Sequence, residues 1–377
     1  DGTVWAWGLT VGEQWGTLYD SPAQVEGLRG IALATGRYHA FLVMPDGAIW
    51  AWGDNAHGQL GDGTYTRRAS PLLVNGLVDV IAVDANYGAS LALRSDGTAW
   101  TWGHNESGQL GDGTFSNRTV PVQVKGLAGA GAVSMGGGHA LALKYDGTVW
   151  AWGYNGSGQL GDGTTSNRSA PVQVKDLEGV LAISAGTSYS LAVRYDGTVW
   201  AWGYNGSGQL GDGSTNSSSV PVQVQGLSDV VSVSAGSYHA IAVRSDGKGW
   251  GWGGNYYGER LRPTANSYQL EPIALNEVSI VVAGDYVSLA MDAEGKVWTG
   301  GENNWGELGT GSLTYSSQGP VQVTTLTDGI SAAAAGTDHM LVVRTDGTVW
   351  AWGRNSDGAL GNGTFLDMLT PIRSLLY

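Results

Sequence analysis

The chain opens on Asp-Gly-Thr-Val-Trp-Ala-Trp-Gly, and versions of this phrase begin again at Asp46, Asp96, Asp146, Asp196, Asp246, Glu294 and Asp346. The copy at Glu294 is the most altered, reading Glu-Gly-Lys-Val-Trp-Thr-Gly-Gly. Successive starts lie 45, 50, 50, 50, 50, 48 and 52 residues apart, so insertions are nearly absent. A fixed period of this length marks a repeat architecture, in which each unit buries its apolar surface against its neighbours. Such a chain of 377 residues needs no single oversized core, and one repeat domain spanning 1–377 is expected.

The repeats read as β units. Glycine supplies 62 residues, charged residues only 14%, and Trp and Tyr together 33, the profile of short strands joined by tight turns. In the copy from Asp146, four strand-like segments follow one another: Thr148 to Trp152, Pro171 to Val174, Val180 to Ala185 and Tyr189 to Arg194. The first two are separated by a Gly-, Asn- and Asp-rich loop suited to successive turns. Pro171 stands where a strand begins or runs along an edge, and Asp196-Gly197 marks a tight hairpin.

Alternation along Val149-Trp150-Ala151-Trp152 puts both indoles on one face and the small residues on the other. Neither face is polar, so the strand must be covered on both sides, as in stacked blades. The pairs Trp5/Trp7, Trp50/Trp52, Trp100/Trp102, Trp150/Trp152, Trp200/Trp202, Trp250/Trp252 and Trp350/Trp352 are all expected in the core, while the copy at Glu294 has Trp298 followed by Gly300. Four-stranded units repeated radially make a β-propeller.

Asp-Gly-x-Val-Trp-x-Trp-Gly-x-Asn-x-x-Gly-Gln-Leu-Gly, then Pro-Val-x-Val, then Ala-Gly-x-x-His-x-Leu-Ala, resembles the repeat of the regulator of chromosome condensation family over the whole chain. The resemblance implies an all-β, seven-bladed propeller of four-stranded blades. Strand-like segments nevertheless number thirty, two more than seven blades hold. Either eight blades form, with strands from elsewhere, or seven form beside a displaced half-blade free to pair with a neighbouring chain. Residues from about Gly30 to Tyr377 form seven complete sets and so, counted differently, do Asp1 to Thr345, so the surplus pair lies at one terminus or the other; the half-repeat at 1–28, which lacks the Gly-Gln-Leu-Gly-Asp-Gly loop, diverges as a terminal cap would.

Net charge is −14 with no Lys/Arg cluster, which speaks against nucleic acid and anionic membranes as partners. No apolar run is long enough to insert in a membrane. The chain starts inside a repeat with no signal peptide, as a mature or excised fragment would, and its lack of cysteine suits a secreted bacterial protein. An extracellular or cell-surface location is the resulting expectation.

Catalytic groups are sparse. His39, His139, His239 and His339 share one repeat position, filled elsewhere by Ala89, Tyr189 and Val287, a substitution pattern that favours a structural hydrogen bond to a turn over a metal or general-base role. His57 and His104 read as lone loop residues. Asp62, Asp112, Asp162 and Asp212 each offer a single carboxylate, too few for calcium, and are expected to close their own turns. No cofactor or metal is expected, and the chain reads as a non-enzyme.

Departures from the repeat mark where a binding site would lie. In the loop 254–263 the consensus gives way to Tyr256, Tyr257, Arg260 and Arg262, residue types that dominate interface hot spots, with Tyr268, Trp305 and Trp15 as further aromatic anchors. The expected function is a protein-binding, adhesion or assembly scaffold, whose partner is another protein or a like subunit. A glycan stacked on exposed aromatics is the alternative. The resemblance adds a third reading, since family members include an exchange factor for the GTPase Ran and a secreted bacterial β-lactamase inhibitor that uses aromatics at one mouth. The wedge insertion of the exchange factor and the tryptophan cluster of the plant UV-B receptors of this family have no counterpart in this sequence.

Overall fold

The computed structural model describes residues 32–263, 269–317, 319–326 and 329–374. These form 28 strands in seven four-stranded antiparallel sheets, a seven-bladed β-propeller. Each blade uses four consecutive strands. The third blade, for example, runs Ala130–Met135 beside the axis, then His139–Lys144, Val149–Gly153 and Arg168–Gln173 at the outside. A blade therefore joins the last two strands of one repeat to the first two of the next. The tight turns expected at Asp-Gly connect second and third strands, with Gly147 and Gly197 at φ 79° and 74°.

The ring closes at seven, which overturns the eight-bladed alternative. The contact that joins neighbouring blades, Gly113 N–H to Ser169 O at 2.7 Å between blades two and three, recurs between blades seven and one as Gly363 N–H to Ala69 O at 3.2 Å. The first-repeat segments that carry Trp5, Trp7, Trp15 and Pro22 lie outside the described residues, as does the half-repeat at 1–28.

The core is divided among the blade boundaries. One cluster combines Leu91, Leu93, Leu110 and Val124 of blade two with Val133, Ala142 and Trp152 of blade three, and similar clusters fill the other joints. The second indole of each pair is the keystone. Trp52, Trp102, Trp152, Trp202, Trp252 and Trp352 are fully buried. Each donates its indole N–H to a backbone carbonyl of the preceding blade, as Trp152 does to Gln109 at 2.9 Å and Trp52 to Ala359 at 3.1 Å. Removing roughly 200 Å² per indole from water is worth about 5 kcal/mol gross, against about 1 kcal/mol for the hydrogen bond, so burial stabilises the joint and the bond orients the ring. Close approach requires glycine opposite: a Cβ on Gly111 would lie 2.8 Å from the Trp152 ring.

The first indoles correct the sequence expectation. Trp50, Trp100, Trp150, Trp200 and Trp250 are only half-buried, and of this set Trp350 alone is buried. They sit near the Asp-Gly turns, at the open end of the blade, where a cation covers several of them, as Lys144 does Trp150 at 5.2 Å and Arg344 does Trp350 at 5.1 Å.

Candidate functional site

Antiparallel strands bring two sets of connections to one mouth of the ring: the turns after each innermost strand and the loops after each third strand. The loops are built as rigid supports. In the third blade, Asn155 accepts from Leu160 N–H at 3.0 Å and donates to Asp162 and to the carbonyls of Thr164 and Ser166. Asp162 accepts from the Thr164 N–H and hydroxyl at 2.9 and 2.7 Å and from Arg168 at 2.6 Å. Burial pushes this carboxyl up, but the bonds from Thr164 and Arg168 outweigh it and hold the group below the usual range. Asp62, Asp112 and Asp212 close their turns in the same way.

The four equivalent histidines lie inside the ring wall. His39, His139 and His239 meet Ser90, Ser190 and Ser288 of the next blade at 3.1, 2.9 and 2.7 Å, so the bond expected to a turn is instead a bridge between blades. Burial depresses these three imidazoles to about 3. Among the described residues, no group of three or more His, Cys, Asp or Glu is placed to hold a metal ion.

Along the axis, Ser134, Ser184 and Ser234 each accept a backbone N–H from the following blade at 2.9–3.1 Å. Asp84 takes this place in blade two, accepting from Met135 N–H at 2.8 Å, and burial pushes its carboxyl up to about 7. The channel they line offers about 50 Å³ to the centres of water molecules, room for a few waters. At the mouth Asp285 accepts from Ser237 at 2.5 Å and from Thr337 at 2.8 Å, joining blades five, six and seven.

The mouth carries an arc of aromatic side chains across blades five, six, seven and one. Tyr238 stacks on Tyr286 at 5.5 Å. Tyr257 stands edge-on to Tyr286 and to Tyr315, each at 5.5 Å, and Tyr256 to Tyr238 at 6.5 Å. Hydrogen bonding to Tyr315 and burial push the Tyr257 phenol up to about 12. Arg354 lies over the Tyr38 ring at 4.6 Å and the Trp305 ring at 5.5 Å, and donates to Asp338 at 2.9 Å. Arg37 extends the arc across Tyr38 and Tyr87 at 5.1 and 5.2 Å. Tyr256, Trp305 and Tyr315 remain 51%, 44% and 68% exposed.

Three residues picked out in the sequence thus stand in the arc: Tyr256, Tyr257 and Trp305. Arg260 does not. It occupies the place of Leu60, Leu110, Leu160 and Leu210, fully buried, and donates to the Gln269 carbonyl and Glu271 carboxylate, each at 2.9 Å. Arg262 donates to Pro272 O at 2.9 Å and pairs with Glu271 at 3.5 Å. With the Gly-Asp-Gly turn gone, these arginines tie the loop to its outer strand. Tyr268 and Trp15 lie outside the described residues. His57 and His104 are partners after all, on adjacent blades with ring centroids 4.7 Å apart. Sequence reasoning missed Arg37, Tyr38, Tyr238, Tyr286, Tyr315 and Arg354. The signal for four of them was the variation just before the repeated histidine position: Arg37-Tyr38, Ser237-Tyr238 and Asp285-Tyr286.

Comparison with known proteins matches residues 128–375 to the RCC1-like domain. Residues 46–93 and 96–143, and also 31–59 and 80–109, match the regulator of chromosome condensation (RCC1) repeat. The human E3 ubiquitin-protein ligase HERC2 is 42% identical over 83 residues, covering 20% of this chain and 2% of that protein. The mitochondrial RCC1 domain-containing protein RUG3 of Arabidopsis thaliana is 31% identical over 100 residues, 24% of this chain and 22% of that one. The chain thus spans less than a quarter of these relatives. Among solved structures, human WBSCR16 superimposes with a TM-score of 0.79 at 23% identity, over 87% of this chain and 95% of that one. Prp20p of Saccharomyces cerevisiae gives 0.78 at 21% identity, over 87% and 86%. At these identities the likeness is one of fold.

Proposed function

The chain belongs to the RCC1-like family of β-propellers, and from that premise we propose that it is a non-enzymatic binding platform that holds a protein partner at the aromatic mouth. The observation that carries this reading is the arc from Tyr256 through Tyr257, Tyr286, Tyr315 and Trp305 to Tyr38, partly exposed and mounted on loops braced from within, where Glu259 accepts from the Tyr256 and Tyr257 N–H groups at 2.9 and 2.7 Å and Glu307 from the Trp305 N–H at 2.9 Å. Large rings held rigid before binding give contact area at small entropic cost, which is how hot spots work. Prp20p, the yeast RCC1, was solved with a study of its binding to Gsp1p and histones and again bound to Kap60, so a protein that contains this fold has protein partners, which supports the reading. A sugar is served less well, because Tyr238, Tyr286 and Tyr257 turn their faces and edges on one another. The acidic, cysteine-free composition supports meeting that partner outside the cell, which fractionation of the source cells checks.

A photo-crosslinking residue in place of Tyr315 tests the binding reading. A discrete protein adduct is expected from an extract of the source cells, and it should vanish when Tyr256→Ala and Trp305→Ala are added. No adduct, or one indifferent to both changes, would count against it.

A further inference from the structure

Resting on that reading of the mouth, we propose that the arc over blades five to seven receives a basic side chain, a lysine or arginine of the partner, with Glu302 as its anionic anchor. Glu302 stands at the start of the blade-six loop, where its backbone N–H bonds to the Tyr286 carbonyl at 2.9 Å and it bridges to Ser316, the residue after Tyr315, and its carboxylate accepts a hydrogen bond from Asn304. No Lys or Arg among the described residues lies within ion-pair distance of it. Burial raises its pKa, and so do the carboxylates of Asp338, Glu259 and Asp285, a crowding of like charge that an arriving cation relieves. The basic residues nearby are already engaged: Arg354 pairs with Asp338 and Asp357 at 2.9 and 3.5 Å, and Arg37 is stacked on Tyr38 and Tyr87.

The aromatic walls suit the same ligand. The exposed ring of Tyr315 offers a negative π face that attracts ammonium and guanidinium groups, in the way that Trp305 already holds the Arg354 guanidinium at 5.5 Å. Charge complementarity then chooses among partners. A chain of net charge −14 with Glu302, Asp285, Asp338 and Asp357 at this mouth repels an acidic surface and steers a basic one. Elsewhere on the mouth Asp54 accepts from Gln59 at 2.7 Å, and Glu106 lies 3.5 Å from the His104 ring, whose pKa burial lowers.

Phage-displayed random peptides selected on the immobilised full chain test this directly, with binders then measured by calorimetry. Enriched peptides are expected to carry a Lys or Arg whose replacement by norleucine abolishes binding. Glu302→Gln should weaken them about tenfold and flatten their salt dependence. Tyr315→Ala should also weaken them, and Glu106→Gln should leave them unchanged. Peptides that need Tyr256 and Trp305 but neither Glu302 nor a basic residue would overturn the inference and leave the protein-binding reading standing. A selection that yields no binders overturns the inference and weighs against that reading too.

Discussion

Leu261 of blade five fills the place opposite Gly300 of blade six, so closely that a Cβ on Gly300 would come 3.0 Å from Leu261 Cδ2. At the other joints the sizes are reversed. Gly61, Gly111, Gly161, Gly211 and Gly309 make room for Trp102, Trp152, Trp202, Trp252 and Trp352. Bulk has moved across the boundary from one blade to its neighbour, and Leu261 accepts a left-handed backbone, φ 54°, in a place that glycine holds elsewhere.

Single changes at this joint should be costly and the double change mild. Leu261→Gly leaves a cavity worth about 2–4 kcal/mol, and Gly300→Trp drives an indole into Leu261. Combining them recreates the glycine–tryptophan joint. Urea denaturation of the four proteins should give a favourable coupling above about 1 kcal/mol. Additivity within about 0.5 kcal/mol would refute the exchange of bulk.

At the joint that closes the ring, the buried Nε2 of His339 meets no hydrogen-bond partner. Its counterparts meet serines, whereas blade one offers Ala40. Ala40→Ser should supply the missing bond and reach the Ala359 carbonyl as Ser90 reaches Gln59 at 2.8 Å. A gain of about 1 kcal/mol in unfolding free energy is expected, and a loss would mean that the joint has no room for the hydroxyl.

The depressed histidines make acid destabilising. His39, His139 and His239 titrate at about 3 and His339 at about 4 in the folded ring, against 6.5 when exposed. The unfolded chain therefore binds more protons between pH 6.5 and pH 4, and each histidine removes up to about 1.4 kcal/mol of stability per pH unit as pH falls through that window. Replacing one bridge with the Ala–Ala pair found at Ala89 and Ala140, as His139→Ala with Ser190→Ala, should lower the slope of stability against pH by about that amount. An unchanged slope would show that the histidine is charged in the fold.

Asp84 works in the opposite sense. Its carboxyl titrates at about 7 in the fold and at 3.8 when exposed, so the folded ring holds the extra proton and loses stability as pH rises from about 4 to 7. Asp84→Ser restores the residue used by the next three blades. Its stability advantage should widen by up to about 1.4 kcal/mol per pH unit across that range and level off above pH 7. A constant difference would place the ionised carboxylate in the native channel.

What could be read from the sequence followed from local rules. Asp196-Gly197 asks for a hairpin wherever it occurs, Pro171 for a strand at an edge, though that strand begins earlier, at Arg168, and Val-Trp-Ala-Trp for a packed strand, whose second indole is buried and whose first is half-covered. The phase of the blades was not legible, because a cyclic pattern divides equally well at several points. Arg260 misled because arginine in a variant loop looks like a contact, while its direction was decided by Glu271, eleven residues on. The arc itself sets Tyr38, Tyr238 and Tyr286, which share one repeat position, beside Tyr315 and Arg354 from the loops, and that meeting across blades depends on ring closure rather than on spacing. The histidine bridges were closer to reach, since serine stands 51 residues after His39 and His139 and 49 after His239.

Every blade is made of four consecutive strands, and among the described residues none passes from blade seven to blade one. The ring is thus a row of wedges bent into a circle, and its two ends meet in a clasp. Pulling on Leu33 and Ile372 would load that clasp, the indole of Trp52 against Ala359 and the loop at Gly363, before any ladder within a blade bore the strain. It would spring open like a bracelet, its links intact. The aromatic arc crosses the same gap, where Arg354 lies on Tyr38, so a partner seated there would act as the pin that keeps the bracelet shut.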